Sequence, residues 1–279
     1  MTWDDIRTLA RDGSPAEAVD AANAFAREHG HAVTFGYRDG MWVRSADDME
    51  TPAPDLFDGP ALWDVWQAQR QKYLRDADDY WFHVYRPREG DVIVDIGAGR
   101  GEDAYAFSRA AGAAGTVWAF EPHPVTFGAL RRLCEWNGLT NVRCSQVACT
   151  EVAEDLQIET LPLWESNYVR SGPASETSFA VQCRPFDEIA GEAGIGRIDF
   201  LKMNIEGAER MALPGCRRAL ERARYACISA HDFRADRGEG EAFRTLAFVR
   251  AFLENAGFRI LTRDDPRYYV PYHVHAWRD

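Results

Sequence analysis

Residues 92 to 103 read VIVDIGAGRGED: four of the first five are apolar and β-branched, the fourth is an aspartate, and glycines follow at 97, 99 and 101. Such a run predicts a buried strand that stops beside a charge and turns sharply. From Asp91 onward the pattern alternates. DVIVDIG, TVWAFEP, VRCSQVACT, IDFLKMNI and YACISAHDF read as strands, and EDAYAFSRAAG, PVTFGALRRLCEWNGL, GAERMALPGCRRALERA and residues 240 to 256 read as helices. Alternation of this kind builds a parallel sheet with right-handed crossovers. Residues 151 to 185 interrupt it as a hairpin excursion, and FRILTRDD with YYVPYHVHAW, joined tightly at Asp265-Pro266, predict an antiparallel hairpin on the sheet edge.

The first eighty residues follow another rhythm and are read as a small helical and hairpin extension to a domain spanning 81–279. DDIRTLARDG and SPAEAVDAANAFAREHG predict two helices, the second capped by Ser14 with Pro15 at its first position. HAVTFGYRDGMWVRS predicts a hairpin turning at Asp39-Gly40, and a linker, ETPAPDLFDGP, leads into a helix from 61 to 77. A lid, an acceptor pocket or a dimerisation element are the roles open to this segment.

Composition narrows the partners. A formal charge of −12 repels a nucleic-acid backbone or an anionic membrane at long range, so a small molecule is the expected partner, with a homodimer left open. No apolar run approaches the roughly 18 residues of a membrane span, and MTWDDIRTLARDG is too polar for a secretory signal, which places the expected location in the cytoplasm. The six cysteines show no CxxC or other zinc-like spacing and read as reduced core residues.

In an open α/β sheet the first strand-to-helix turn is the usual ligand cradle, and Gly97, Gly99 and Gly101 occupy it. A dinucleotide site requires GxGxxG, with its third glycine packing helix on strand, yet counting from Gly97 places Glu102 there. Asp95 and Glu102 flank the turn; they repel a pyrophosphate and suit a cation. S-adenosylmethionine, with a sulfonium and an ammonium and no phosphate, fits that requirement, and Asp95 is expected to help neutralise the ammonium, directly or through water. Glu121, about 24 residues beyond Gly97 at the end of the second strand, is near the spacing at which a carboxylate grips ribose hydroxyls. Ala98, Asp103, Pro122 and Gln146 complete the expected cofactor set.

Together, VIVDIGAGRGEDAYAFSRAAG, VWAFEPHPVTFGALRRLCEWNGLTNV and IDFLKMNIEGAERMALPG resemble the FkbM family of S-adenosylmethionine-dependent methyltransferases, over roughly residues 90 to 235. The resemblance implies a Rossmann-like class I methyltransferase sheet of seven strands. It also implies methyl transfer, usually to oxygen, in saccharide or natural-product modification. Most members carry aspartate where this chain has Asn204, so no charge is expected there.

Methyl transfer from a sulfonium is an in-line displacement in which alignment supplies much of the rate and a base removes one proton. Lys202, Asn204 and Glu206 end the fourth strand, and His231 and Asp232 end the fifth, on the same sheet edge as the glycine turn. Histidine accepts a proton near neutrality, so His231 is the first candidate base and Glu206 the second, with Asn204 beside them. The competing structural reading has Glu206 and Glu209 facing the next helix N-terminus and His231 merely bonding its own loop. No metal is expected; if one binds, Glu206, His231 and Asp232 are the candidate ligands. His273 and His275 share a strand face and read as structural. Trp164, Tyr168, Tyr268, Tyr269 and Tyr272 are candidates for stacking on an acceptor ring. A nicotinamide-dependent oxidoreductase and a catalytically silent scaffold are the rival readings.

Overall fold

The computed structural model describes residues 1–54, 56, 63–161 and 166–278. The chain opens with α1 (Trp3–Asp12) and α2 (Pro15–Glu28), followed by β1 (Thr34–Arg38), β2 (Met41–Ala46) and β3 (Met49–Ala53), an antiparallel sheet in that order. Pro15 starts α2 as expected, but Ser14 makes no side-chain cap. Asp39 and Gly40 both take positive φ at the β1–β2 turn, as a tight hairpin demands. These elements share a core in which the Trp63 ring meets Trp3, Phe25, His31 and Phe35.

The helix expected from 61 to 77 is instead α3 (Trp63–Gln67) and α4 (Gln69–Asp76), running into a π-helical turn at Ala77–Trp81; residues 61 and 62 lie outside the described residues. Then come β4 (Val92–Ile96), α5 (Glu102–Ala111), β5 (Thr116–Phe120), α6 (Pro124–Trp136) and β6 (Val142–Ser145). The third expected strand breaks after Ser145: β7 (Ala148–Cys149) leaves the main sheet and joins β8 (Glu154–Glu159), β9 (Val169–Arg170) and β10 (Ser178–Arg184) in a second sheet of order β7-β10-β8-β9. The expected hairpin excursion is the antiparallel β8–β10 pair of that sheet.

After α7 (Phe186–Glu192) the chain returns as β11 (Ile198–Met203). The single helix expected next is three pieces, α8 (Glu209–Ala212), a 3₁₀ turn at Leu213–Cys216 and α9 (Arg217–Arg222), because Pro214 in the middle cannot continue the α-helical ladder. β12 (Ala223–Ser229), α10 (Asp232–Asp236), α11 (Leu246–Asn255), β13 (Arg259–Leu261) and β14 (His273–Trp277) complete the fold. β13 and β14 do pair antiparallel, but a long loop with a 3₁₀ turn at Val270–Tyr272 joins them, not a tight turn at Asp265-Pro266.

The fold class is α/β, with a seven-stranded sheet ordered β13-β14-β12-β11-β4-β5-β6, parallel from β12 to β6. Strand order reverses at β4: the chain moves outward through β5 and β6, then crosses to β11 on the other side. Such a switch point opens a crevice at the carboxyl ends of the strands. All six residues of β11 are buried, so the charges of Asp199 and Lys202 within it both need partners. The N-terminal sheet docks on α6, where Asn137 Nδ2 donates to Glu50 O at 2.7 Å and Glu50 N donates back to Asn137 Oδ1 at 3.0 Å.

Candidate active site

A solvent-open cleft of about 890 Å³ lies at the switch point, formed by the turns after β4, β5 and β11 and by residues of the second sheet. Gly97, Ala98, Gly99, Asp103, Glu121 and Pro122 line it as expected, and so do Asn204 and Glu206. Among the described residues, none of the first eighty does. Asp95, Gly101, Gln146, His231 and Asp232 do not line it either. Gln146 is exposed, because the chain bends between β6 and β7.

The glycines answer to packing more than to a ligand. A Cβ on Gly97, at φ +82, would lie 1.9 Å from the carbonyl oxygen of Asn204, so the turns after β4 and β11 meet backbone to backbone. Gly101, at φ +100, has Leu130 of α6 where its Cβ would be, at 2.9 Å. Gly99 N–H points across the turn to Glu121 Oε2 at 3.0 Å, and His123 N–H donates to Glu121 Oε1 at 2.9 Å. Glu121 is thereby fixed at the cleft wall by two backbone donors, each oxygen keeping further acceptor capacity. Burial pushes its carboxyl up to about 7, against the pull of those two N–H groups.

Asp95 is not placed to meet a ligand's ammonium. It is fully buried, and its Oδ1 accepts a hydrogen bond from Lys202 Nζ at 2.8 Å, directly opposite it in the β4–β11 register. Lys202 Nζ also donates to Gly97 O at 2.7 Å and lies 3.3 Å from Asp103 Oδ2, while Trp81 Nε1 donates to Asp103 Oδ1 at 2.7 Å. Burial pulls the Lys202 ammonium down, but the Asp95 and Asp103 charges outweigh it and hold it above the usual lysine value. Burial pushes Asp95 up to about 6, with the Lys202 charge opposing. Lys202, the lone basic group among the described lining residues, is therefore spent on holding the glycine turn, and the other charged residues there are Glu102, Asp103, Glu121 and Glu206.

The expectation that His231 is the free base gives way. Its ring is buried between carboxylates, with Nε2 3.1 Å from Glu206 Oε1 and Nδ1 2.9 Å from Glu209 Oε1, the latter an ion-pair contact without good hydrogen-bond alignment. Burial alone would lower its pKa, yet the two carboxylates overcome that and push it up to about 10. A pKa raised that far keeps the ring protonated at neutral pH, with no free ring lone pair to accept a proton. A group raised in the folded state contributes its full stability below the unfolded value of 6.5 and loses it as pH rises toward 10. We expect the urea midpoint to fall steadily between pH 7 and 9, and His231→Gln to flatten that slope; equal slopes would show that the imidazolium contributes nothing.

Glu206 is the member of this cluster that faces the cleft. It takes φ +54, and Gly207 beside it φ +97, so a non-glycine residue is held left-handed at the site, a strained state that neighbouring contacts must maintain. The helix-facing alternative fails for Glu206, whose oxygens accept from His231 and from Arg234 Nη1 at 2.9 Å; Glu209, the first residue of α8, accepts from Gly207 N at 3.3 Å, ahead of that helix. Asn204 N donates to Ile96 O at 3.0 Å, tying β11 to β4 where the cleft begins.

Asp232 turns away to the start of α11, accepting from the backbone of Thr245 at 2.9 Å and Leu246 at 2.8 Å. The conditional metal trio is thus not assembled, and among the described residues no group of three or more His, Cys, Asp or Glu side chains is arranged to hold a metal ion. His273 stacks on Trp81 at 4.8 Å and His275 lies 5.2 Å from His83; burial lowers them to about 3 and about 4, so both are neutral core residues. Trp164 lies outside the described residues. Tyr168 packs on Phe243, Tyr268 lies 5.4 Å from Phe233, and Tyr269 and Tyr272 bond Tyr80 and Asp236; none of the four lines the cleft. Their neighbours Asn167 and Val169 do line it, with Thr150 and Ile158, a contribution of the second sheet that periodicity alone did not signal. Among the described residues, no helix is long and apolar enough to cross a membrane.

A family model described as the methyltransferase FkbM domain matches residues 95–260. The chain is 24% identical over 221 residues to 31-O-demethyl-FK506 methyltransferase FkbM of Streptomyces tacrolimicus, covering 67% of this chain and 80% of that one. A shorter stretch of 84 residues is 31% identical to the catalytic subunit of a tRNA (adenine(58)-N(1))-methyltransferase of Yarrowia lipolytica, covering 30% of this chain and 22% of that one. Among solved structures, a methyltransferase FkbM from Methylobacillus flagellatus KT shares the fold at TM-score 0.51 and 20% identity; the match covers 78% of this chain and 53% of that longer one.

Proposed function

The chain belongs to the FkbM family of methyltransferases, and from that premise we propose that it transfers a methyl group from S-adenosylmethionine to a hydroxyl of a small saccharide or natural-product intermediate. The single observation that carries the cofactor is Glu121. Its buried carboxylate is held by Gly99 and His123 N–H groups in a cleft where the lining lysine is already paired. Such an acceptor suits a polyhydroxylated cation, and a lining whose other charges are acidic disfavours a pyrophosphate, which argues against the nicotinamide reading.

Residues of the chain divide the work. Glu121, backed by the glycine turn, would take the ribose hydroxyls, and Ile96, Phe120 and Val147 offer apolar wall to the base. S-adenosylmethionine would supply an electrophilic methyl. Glu206, the acid on the turn after β11, would accept the acceptor's hydroxyl hydrogen bond, orient that oxygen and take its proton as the O–CH3 bond forms and the S–CH3 bond breaks, while Asn204 and Asn167 offer neutral polar contacts. Oxygen as the target follows the Streptomyces relative, named for methylating 31-O-demethyl-FK506, and the charge of −12 favours a small molecule over RNA.

Calorimetric titration with S-adenosylhomocysteine, with NAD as control, tests the reading. Wild type is expected to bind the first alone, and Glu121→Ala to weaken it at least tenfold. Binding of NAD alone, or an unchanged affinity in the variant, overturns the assignment.

A further inference from the structure

Arg234 was no candidate from sequence, yet it is a buried cation held by three partners just behind the cleft wall. It is 4% exposed, and its guanidinium lies 4.0 Å over the ring of Phe243. Nη1 donates to Glu206 Oε2 at 2.9 Å and to the carbonyl of Ser166 at 3.2 Å, while Nε donates to Glu239 Oε2 at 2.7 Å. Ser166 immediately precedes Asn167, which lines the cleft, as does Val169 at the start of β9. One nitrogen, Nη1, therefore joins the acid that faces the cleft to the segment that forms another part of its wall, while Nε holds Glu239. A lysine has no second donor nitrogen in place of Nε to hold Glu239 at the same time, so its head is not fixed against the Ser166 carbonyl.

We infer that Arg234 is a positioning residue that fixes the Glu206 carboxylate and the 166–169 segment as one unit. The inference rests on the reading in which Glu206 meets the acceptor. Glu206 sits in a left-handed conformation that isolated chains avoid, and its two oxygens are pinned by two cations, His231 on one side and Arg234 on the other. His231 is anchored independently by Glu209, so it cannot follow the 166–169 segment; Arg234 can, because it holds that segment's carbonyl itself. Loss of the guanidinium frees the wall and leaves the Glu206 charge with one counter-ion fewer.

The test uses the whole chain and two probes, S-adenosylhomocysteine and sinefungin, which carries an ammonium in place of the transferable methyl. Arg234→Met keeps an apolar stem against Phe243. It should bind S-adenosylhomocysteine within threefold of wild type while its preference for sinefungin rises at least fivefold, because Glu206 is now short of a cation. Hydrogen exchange should quicken together in residues 166–170 and 204–207. Arg234→Lys should restore the preference but not the protection of 166–170, and adding Glu206→Gln to Arg234→Met should erase the gained preference. An unchanged preference in Arg234→Met, or faster exchange confined to residues 232–239, overturns the inference. If wild type binds neither probe, the proposed function falls and the exchange arm alone decides the linkage. If Arg234→Met does not fold, Arg234→Lys decides it by the exchange of 166–170.

Discussion

Alanine at Gly97 is expected to abolish S-adenosylhomocysteine binding and to destabilise the chain by about 3 kcal/mol or more. The left-handed φ of +82 alone costs an L-residue roughly 1–2 kcal/mol. The larger part is steric. The new Cβ would sit 1.9 Å from Asn204 O and 2.9 Å from both Asn204 C and Ile205 Cγ2. Two of these three atoms are backbone, and Asn204 is tied to β4 by its own N–H bond to Ile96 O, so no rotamer relieves the clash. The turns after β4 and β11 must separate, and the Lys202 bond to Gly97 O goes with them. Gly138 is the control: it too has positive φ, +62, but nothing lies within 4 Å of its Cβ. Gly138→Ala should therefore show only the left-handed penalty and bind normally. Urea unfolding with calorimetric titration checks both, and wild-type behaviour of Gly97→Ala would sink the close-approach account.

That comparison shows what a sequence discloses. The strand VIVDI, the turn after it and Glu121 at the end of β5 are local patterns, so they were readable as strand, turn and strand end. The reason for Gly97 was not, because its obstacle belongs to Asn204, brought near only when β11 inserts beside β4. His231 failed as a base for the same reason: its partners Glu206 and Glu209 arrive from another strand end, and their combined charge reverses the protonation that an isolated histidine would have. Two features do carry a local signal. Pro214 inside an expected helix announces a break. A lysine and an aspartate, each within a strand buried on both faces, require one another, since neither charge survives burial alone.

That last pair sets the second large effect. Lys202→Met should destabilise the chain by about 3–5 kcal/mol at pH 8, because it leaves Asp95 buried with no counter-charge. The sign with pH follows from the direction of the shift. Asp95 is already raised from 3.8 to about 6 by burial, with Lys202 opposing the rise; removing Lys202 raises it further. An acid raised in the folded state costs stability as pH climbs from its unfolded value through its folded one, and costs nothing below both. The gap between variant and wild type should therefore narrow as pH falls from 8 to 5, where Asp95 takes up a proton and becomes a neutral core group. Asp95→Asn combined with Lys202→Met should recover much of the loss at pH 8 while leaving the glycine turn without its tether to Gly97 O, so stability and S-adenosylhomocysteine affinity should part company in the double variant. Urea midpoints at pH 5 and 8 for the three chains measure this. A Lys202→Met midpoint that matches wild type at pH 8 would mean that Asp95 is neutral in the native protein and the pair carries no charge.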